Sequence, residues 1–181
     1  MKISTCDIPG LVIIDPKVFG DARGYFFESW NEQRYDLIVQ ARFVQDNISF
    51  SRKGIVRGLH FQNPNGQGKL IQVFQGEVFD VAVDLRRSSP TFRKWHGILL
   101  SAENKKQFYI PPGFAHGFAV TSDTALFHYK CTEFYSQKDE MALKWDDPDL
   151  GIAWPIQKPT ISERDAKGLR LRDIPEDRLY P

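Results

Sequence analysis

Short apolar and aromatic runs recur along the chain, each closed by a cluster of Gly, Pro, Asn, Asp or Ser. IPGLVIIDPKVF, DARGYFFESW, FVQDNISFS, GIVRGLHFQ, KLIQVFQGEVFDVAVDLR, KWHGILLS, KQFYIPPG, HGFAVTS and ALFHYKCTEFY are such runs. Their richness in β-branched and aromatic residues, and the turn formers between them, predict strands. So many short strands predict a sandwich or barrel rather than βαβ units. Residues 69–74 and 78–85 flank Gln75-Gly76 and predict a hairpin there. A helical pattern surfaces twice. Near residues 31–41, Tyr35, Leu37 and Ile38 are expected to pack inward. After Ser162, a suitable N-cap, Asp165 falls in the first turn of a short helix. No repeat, low-complexity tract or linker precedes a polar, Pro-containing tail after Trp154. The expectation is a single all-β domain over residues 1–181, a jelly-roll barrel or sandwich with a few short helices.

With 181 residues the chain can bury its own core. The net charge of +1 supplies no general field for gripping nucleic acid or an anionic membrane. Two cysteines, Cys6 and Cys131, without a CxxC, argue against a stapled secreted domain and for a reducing cytoplasm. The N-terminal run is broken by Asp7, Pro9 and Asp15, so it lacks a signal-peptide core. No apolar run approaches the roughly 20 residues of a membrane span.

Charge is uneven locally. Arg52, Lys53, Arg57 and Lys69 lie in a window with no Asp or Glu between Phe50 and Gln72. In a nearly neutral protein this points to an anionic small molecule. Within that window RGLHFQ carries Arg57 and His60, and PPGFAHGF later sets His116 behind a Pro-Gly turn. NGQGKL does not make a P-loop: Asn63 replaces the first Gly, Leu70 replaces Ser/Thr, and a strand follows. Pro111, Gly113 and His116 resemble the second motif of the cupin superfamily, a jelly roll with its site inside. Metal-binding cupins place His-x-His in the first motif, whereas this chain has His60-Phe61-Gln62. Three metal ligands are hard to assemble from what remains, so a metal-free site is expected.

The blocks FVQDNISFS, GIVRGLHFQ, GEVFDVAVDLRRSSPTF, SAENKKQFYIPPGFAHGF, YKCTEFY and WDDPDLGIAWP resemble, in order, those of the dTDP-4-dehydrorhamnose 3,5-epimerases. The likeness runs from about Asp15 to Asp165. It implies a homodimeric jelly roll without cofactor, acting on a dTDP-4-keto-6-deoxyhexose in L-rhamnose synthesis. It further implies roles: His60 as base, Asp165 as its hydrogen-bond partner, Tyr129 as acid and Lys69 beside the enolate oxygen. Arg57 and His116 would hold the diphosphate, and Gln45 and Asn47 would contact the nucleotide. Arg23, reaching across from the partner chain, and Glu28 would join the site. Phe19 and Tyr135 would lie against the base, and Glu140 would touch substrate. Arg164 stands where relatives often carry lysine.

These residue types suit the chemistry. Inverting a carbon beside a ketone needs a base, an acid on the opposite face and positive charge near the oxygen. An imidazole, with an unperturbed pKa of ~6.5, accepts a proton at neutral pH. His96 and His128 are expected to be structural. Two rival readings stay open: a single-site epimerase of a related nucleotide sugar, and a non-catalytic sugar-nucleotide-binding cupin.

Overall fold

The computed structural model describes residues 1–181 as two antiparallel sheets and a separate hairpin. The first sheet has the order β1 (Lys2–Thr5), β2 (Val12–Asp15), β10 (Gln107–Ile110), β7 (Lys69–Gln75), β12 (Thr124–Cys131) and β5 (Gln45–Arg52). The second has the order β13 (Glu140–Ala142), β6 (Val56–Gln62), β11 (Phe114–Val120), β8 (Glu77–Asp84) and β9 (Trp95–Ser101). From β5 to β13 the chain changes sheet at every connection except β8 to β9. This alternation is that of a jelly roll. The sheets stay open, so the all-β expectation holds as a sandwich rather than a closed barrel.

Three apolar clusters explain the pattern. Between the sheets, Ile71, Val73, Phe108, Ile110 and Phe127 of the first meet Val78, Ala82, Phe114, Phe118 and Val120 of the second. Behind the second sheet, Leu59, Phe61, Val81, Val83 and Ala115 are covered by Leu143, Leu150, Leu171, Ile174 and Leu179. The second sheet is thus buried on both faces, and β8 accordingly carries apolar residues on both, with Asp80 and Asp84 as buried exceptions. The segment after Trp154, expected as a polar tail, supplies part of this cover through short 3-10 turns at Leu171–Asp173 and Glu176–Arg178. Each such leucine contributes about 1.5–3 kcal/mol by leaving water.

Behind the first sheet lies α1 (Glu32–Val39), which packs Tyr35 and Val39 on Ile14, Leu70 and Tyr109. The Asn31 side chain caps it by accepting from Arg34 N. Tyr35 points inward as expected, but Leu37 is 83% exposed. In so short a helix Tyr35 and Val39, one turn apart, define the buried face, and Leu37 falls opposite. The expected hairpin at Gln75-Gly76 is also corrected. β7 and β8 belong to different sheets, and Gly76 (φ +74) is the corner between them. A Cβ there would sit 1.9 Å from Thr124 O.

Candidate active site

A cavity of about 520 Å³ opens between the sheets, within the usual size for small-molecule sites. Its second-sheet wall carries Arg57 and His60 from β6 and His116 from β11. Its first-sheet wall carries Lys69 from β7, Phe127 and Tyr129 from β12, and Ser49 from β5. A loop with Thr160, Ile161 and Ser162 closes one side, followed by Arg164 and Asp165. His60 and His116 are direct cross-strand partners, next to a bulge between His116 and Phe118. Glycine allows that bulge: a Cβ on Gly58 would sit 2.6 Å from His116 O, and one on Gly117 2.6 Å from Arg57 O.

His60 is gripped from behind. Its Nε2–H donates to Asp165 Oδ1 at 2.6 Å. Asp165 is buried on α2 (Glu163–Ala166), whose cap Ser162 accepts from Asp165 N. Asp165 Oδ2 also accepts from Gly58 N at 3.2 Å. Burial alone would raise the Asp165 pKa, but the hydrogen bonds and charge from His60 and the Gly58 amide hold it below the usual carboxylate value. The aspartate therefore stays ionised and fixes the ring, leaving Nδ1 as the free nitrogen. Glu140 Oε1 stands 3.9 Å from that Nδ1, and its other oxygen is bound by Arg164.

On the opposite wall burial depresses the Lys69 pKa, partly countered by Cys131, Glu140 and Asp80. A desolvated ammonium here acts on developing negative charge far more strongly than it would in water. Burial pushes the Tyr129 phenol up to about 12, so it remains a proton donor throughout the physiological range.

Other expected residues lie outside the cavity lining. Gln45, Asn47 and Ser49 alternate on the inward face of β5. Gln45 Nε2 donates to Asn47 Oδ1, and Gln45 Oε1 accepts from Tyr135 N. Phe19 and Arg23 lie on the exposed hairpin of β3 (Val18–Asp21) and β4 (Gly24–Phe27), outside this cavity. There Arg23 pairs with Asp21 and, just beyond β4, Glu28 pairs with Arg34. A single chain does not bring Phe19, Arg23 or Glu28 to His60. Gln62, in the place of a second cupin histidine, spends its amide N–H groups on Asn65 O and Phe134 O. His128 stacks on Phe74 and His96 tilts against Phe108, both outside the cavity lining.

Two residues escaped the sequence reading. Ser49 Oγ is buried without a partner on the cavity wall. Asp80 is fully buried behind His116, whose Nε2 lies 3.1 and 2.9 Å from its two oxygens. Its signal was there: Val78, Asp80 and Ala82 share one face of β8, and a carboxylate on an otherwise apolar inward face needs a partner.

Comparison with known proteins agrees with this geometry. The family model described as dTDP-4-dehydrorhamnose 3,5-epimerase matches residues 5–173. A dTDP-4-dehydrorhamnose 3,5-epimerase of Shigella flexneri is 52% identical over 96% of this chain and 97% of its own. An epimerase structure from Legionella pneumophila, in complex with dTDP-4-keto-L-rhamnose, superposes with a TM-score of 0.96 at 49% identity. That likeness covers 99% of this chain and 97% of the other. A 3′-monoepimerase from Streptomyces bikiniensis, in complex with dTDP-quinovose, superposes at 0.87 with 32% identity, covering 92% and 86%. By its strand order, its facing His60 and Tyr129 and these likenesses, the chain belongs to the dTDP-4-dehydrorhamnose 3,5-epimerase family.

Proposed function

We propose that this protein epimerises dTDP-4-dehydro-6-deoxy-D-glucose at C3 and C5, giving dTDP-4-dehydro-L-rhamnose. One observation carries the reading: His60 with Asp165 stands on one sheet, while Tyr129 and Lys69 stand on the other, across a single cavity. A sugar ring held between them meets a base on one face and an acid on the other. His60 Nδ1 takes the proton from the carbon beside the ketone, and the electron pair moves onto O4 as an enolate. Lys69 stabilises that oxyanion. The enolate collapses, carbon takes the Tyr129 proton on the opposite face, and solvent reprotonates the phenolate. His60 returns its proton to solvent before the second inversion. Arg57, oriented by a 2.9 Å bond from Nε to Ser51 Oγ, faces the diphosphate. Gln45, Asn47 and Tyr135 lie toward the nucleoside, and Glu140 with Arg164 borders the sugar.

Incubation with this substrate in deuterated water, followed by NMR, tests the reading. Deuterium is expected at both C3 and C5. Label at C3 alone would favour the second reading, a single-site enzyme, to which the 3′-monoepimerase relative gives weight. No turnover on any 4-keto sugar would leave a sugar-nucleotide binder.

The Arg57→Ala variant is expected to weaken dTDP binding about 10–100-fold, the usual cost of losing charge-assisted hydrogen bonds. Calorimetry checks this, and an unchanged Kd would exclude Arg57 from the diphosphate. The alkaline limb of the rate profile should belong to Lys69, whose lowered pKa makes it neutral before Tyr129 ionises near 12. Activity should therefore fall as the pH rises, with the midpoint of that fall below the ordinary lysine value of 10.5. Tyr129→Phe should slow inversion while sparing proton removal and leave the position of that limb unchanged. A limb that vanishes with the phenol would reverse the assignment.

A homodimer completes the picture. The outer face of the first sheet, beyond the cover of α1, leaves Ile48, Phe50 and Phe74 exposed. Phe19, Tyr25 and Phe26 are exposed on the hairpin. Together these apolar side chains favour pairing with a second copy, whose cavity Arg23 and Phe19 would enter. Sedimentation should give twice the 20.9 kDa chain mass, and Phe50→Glu should shift it toward monomer. A wild-type monomer at micromolar concentration would count against pairing. The unpaired thiols Cys6 and Cys131 fit a cytoplasmic setting for L-rhamnose synthesis. No helix is long and apolar enough to cross a membrane.

A further inference from the structure

The pair Asp80–His116 has no part in the proton transfers just described, yet it lies beside them. Asp80 is fully buried on β8, and the only hydrogen-bond partner of its carboxylate is His116 Nε2. A carboxylate so placed must be met by a donor, so Nε2 carries a proton. The other nitrogen, Nδ1, has no protein partner. The buried polar atoms left unsatisfied are Ser49 Oγ, Gln72 Nε2 and Arg178 Nε, so unpartnered Nδ1 is not sealed in and is reached from the cavity.

The charge state of this ring decides what it can bind. An imidazolium would offer a second N–H to an anion, whereas a neutral ring offers a lone pair. Burial lowers the His116 pKa, and the nearby Lys69 and His60 lower it further, against the pull of Asp80. His60 is moreover the direct cross-strand neighbour of His116. Another cation there would face both. The ring is held nearly parallel to Phe127, at 20°, and Phe127 lies against Phe118. A fixed acceptor next to the catalytic base meets a hydrogen-bond donor of the ligand. A diphosphate has none at neutral pH, but the sugar has hydroxyls at C2 and C3. The C3 hydroxyl changes face when C3 inverts. The C2 hydroxyl does not.

We propose that Asp80 is a positioning residue that fixes His116 as the Nε2–H tautomer, making Nδ1 a rigid acceptor for the C2 hydroxyl of the sugar. This rests on the epimerase reading and redirects His116 from the diphosphate, where family resemblance put it, to the sugar.

Nitrogen-15 NMR of the imidazoles tests the tautomer, with the His116 signals assigned through His116→Asn. Wild-type protein at pH 7–8 should show a protonated Nε2 and a bare Nδ1 for His116; a protonated Nδ1 overturns the proposal. Kinetics test the ligand atom. On the 2-deoxy analogue wild-type kcat/KM should fall about tenfold, the scale of one well-placed hydrogen bond. Asp80→Asn, which lets the ring adopt the other tautomer, should cost about 10–100-fold on the parent sugar but under about threefold on the analogue. Equal losses on both substrates would mean a merely structural role. The Asp80→Asn variant should bind dTDP as wild type does, and a parallel loss there would return His116 to the diphosphate. Should that variant not fold, the wild-type spectrum and the wild-type response to the analogue still decide. Turnover of the parent sugar without discrimination against the analogue rejects this inference alone, while no turnover of the parent rejects the epimerase reading with it.

Discussion

His60→Asn is expected to abolish deuterium exchange at both C3 and C5, with kcat reduced at least about 10³-fold, within the range for a positioned general base. The reason is geometric. His60 is the cavity residue with one ring nitrogen held by an ionised aspartate and the other left free. His116, the other histidine of the cavity, spends Nε2 on Asp80 and lies on the same wall. It brings no second face to the reaction. Substantial residual exchange at either carbon would show that another base serves it. The variant should remain folded, because Asp165 keeps the Gly58 amide as a partner. Its affinity for dTDP should stay close to wild type, which separates lost chemistry from lost binding.

Lys69→Met carries the second large effect. Methionine fills nearly the same space, so the sandwich keeps its packing. What disappears is a desolvated positive charge on the cavity wall; in the proposed mechanism it meets the enolate oxygen, and removal of one such oxyanion stabiliser typically costs about 10²–10³ in kcat. Exchange and inversion should fall together, since both pass through the enolate. This distinguishes Lys69→Met from Tyr129→Phe, where exchange outlasts inversion. Thermal stability should stay level or rise, because burial already opposes the Lys69 charge. A variant with undiminished exchange would remove Lys69 from the mechanism. One that lost only dTDP affinity would move it to the diphosphate.

Much of the site could be read along the chain. Arg57, His60 and Lys69 lie in an acid-free window that marks them locally, whereas the N-cap before Asp165 marks only a helix start. The roles of Tyr129, Asp165 and Lys69 came from the family resemblance, since an alternating strand makes a core tyrosine of Tyr129 by default. Asp80 shows the limit. Its place on an apolar face was visible, but its partner lies 36 residues on, across a strand pair.

The errors have a common origin. Gly76 looked like a hairpin turn because strand spacing does not report whether two strands pair or stack in opposite sheets. The segment after Trp154 looked like a polar tail because three scattered apolar residues, Leu171, Ile174 and Leu179, have no period. Phe19 lies outside the cavity of its own chain, as does Arg23, which the family resemblance assigns to the partner's site.

Alone, the residue order determined strand content, the N-cap before Asp165 and the choice of polar groups, because these depend on neighbours a few positions apart. Only the folded sandwich decided that an imidazole and a phenol 69 residues apart confront each other, and that a hidden carboxylate orients the second histidine. Long-range pairing between sheets and the loss of water from the space they enclose create those relations, and neither is written into any local stretch of chain.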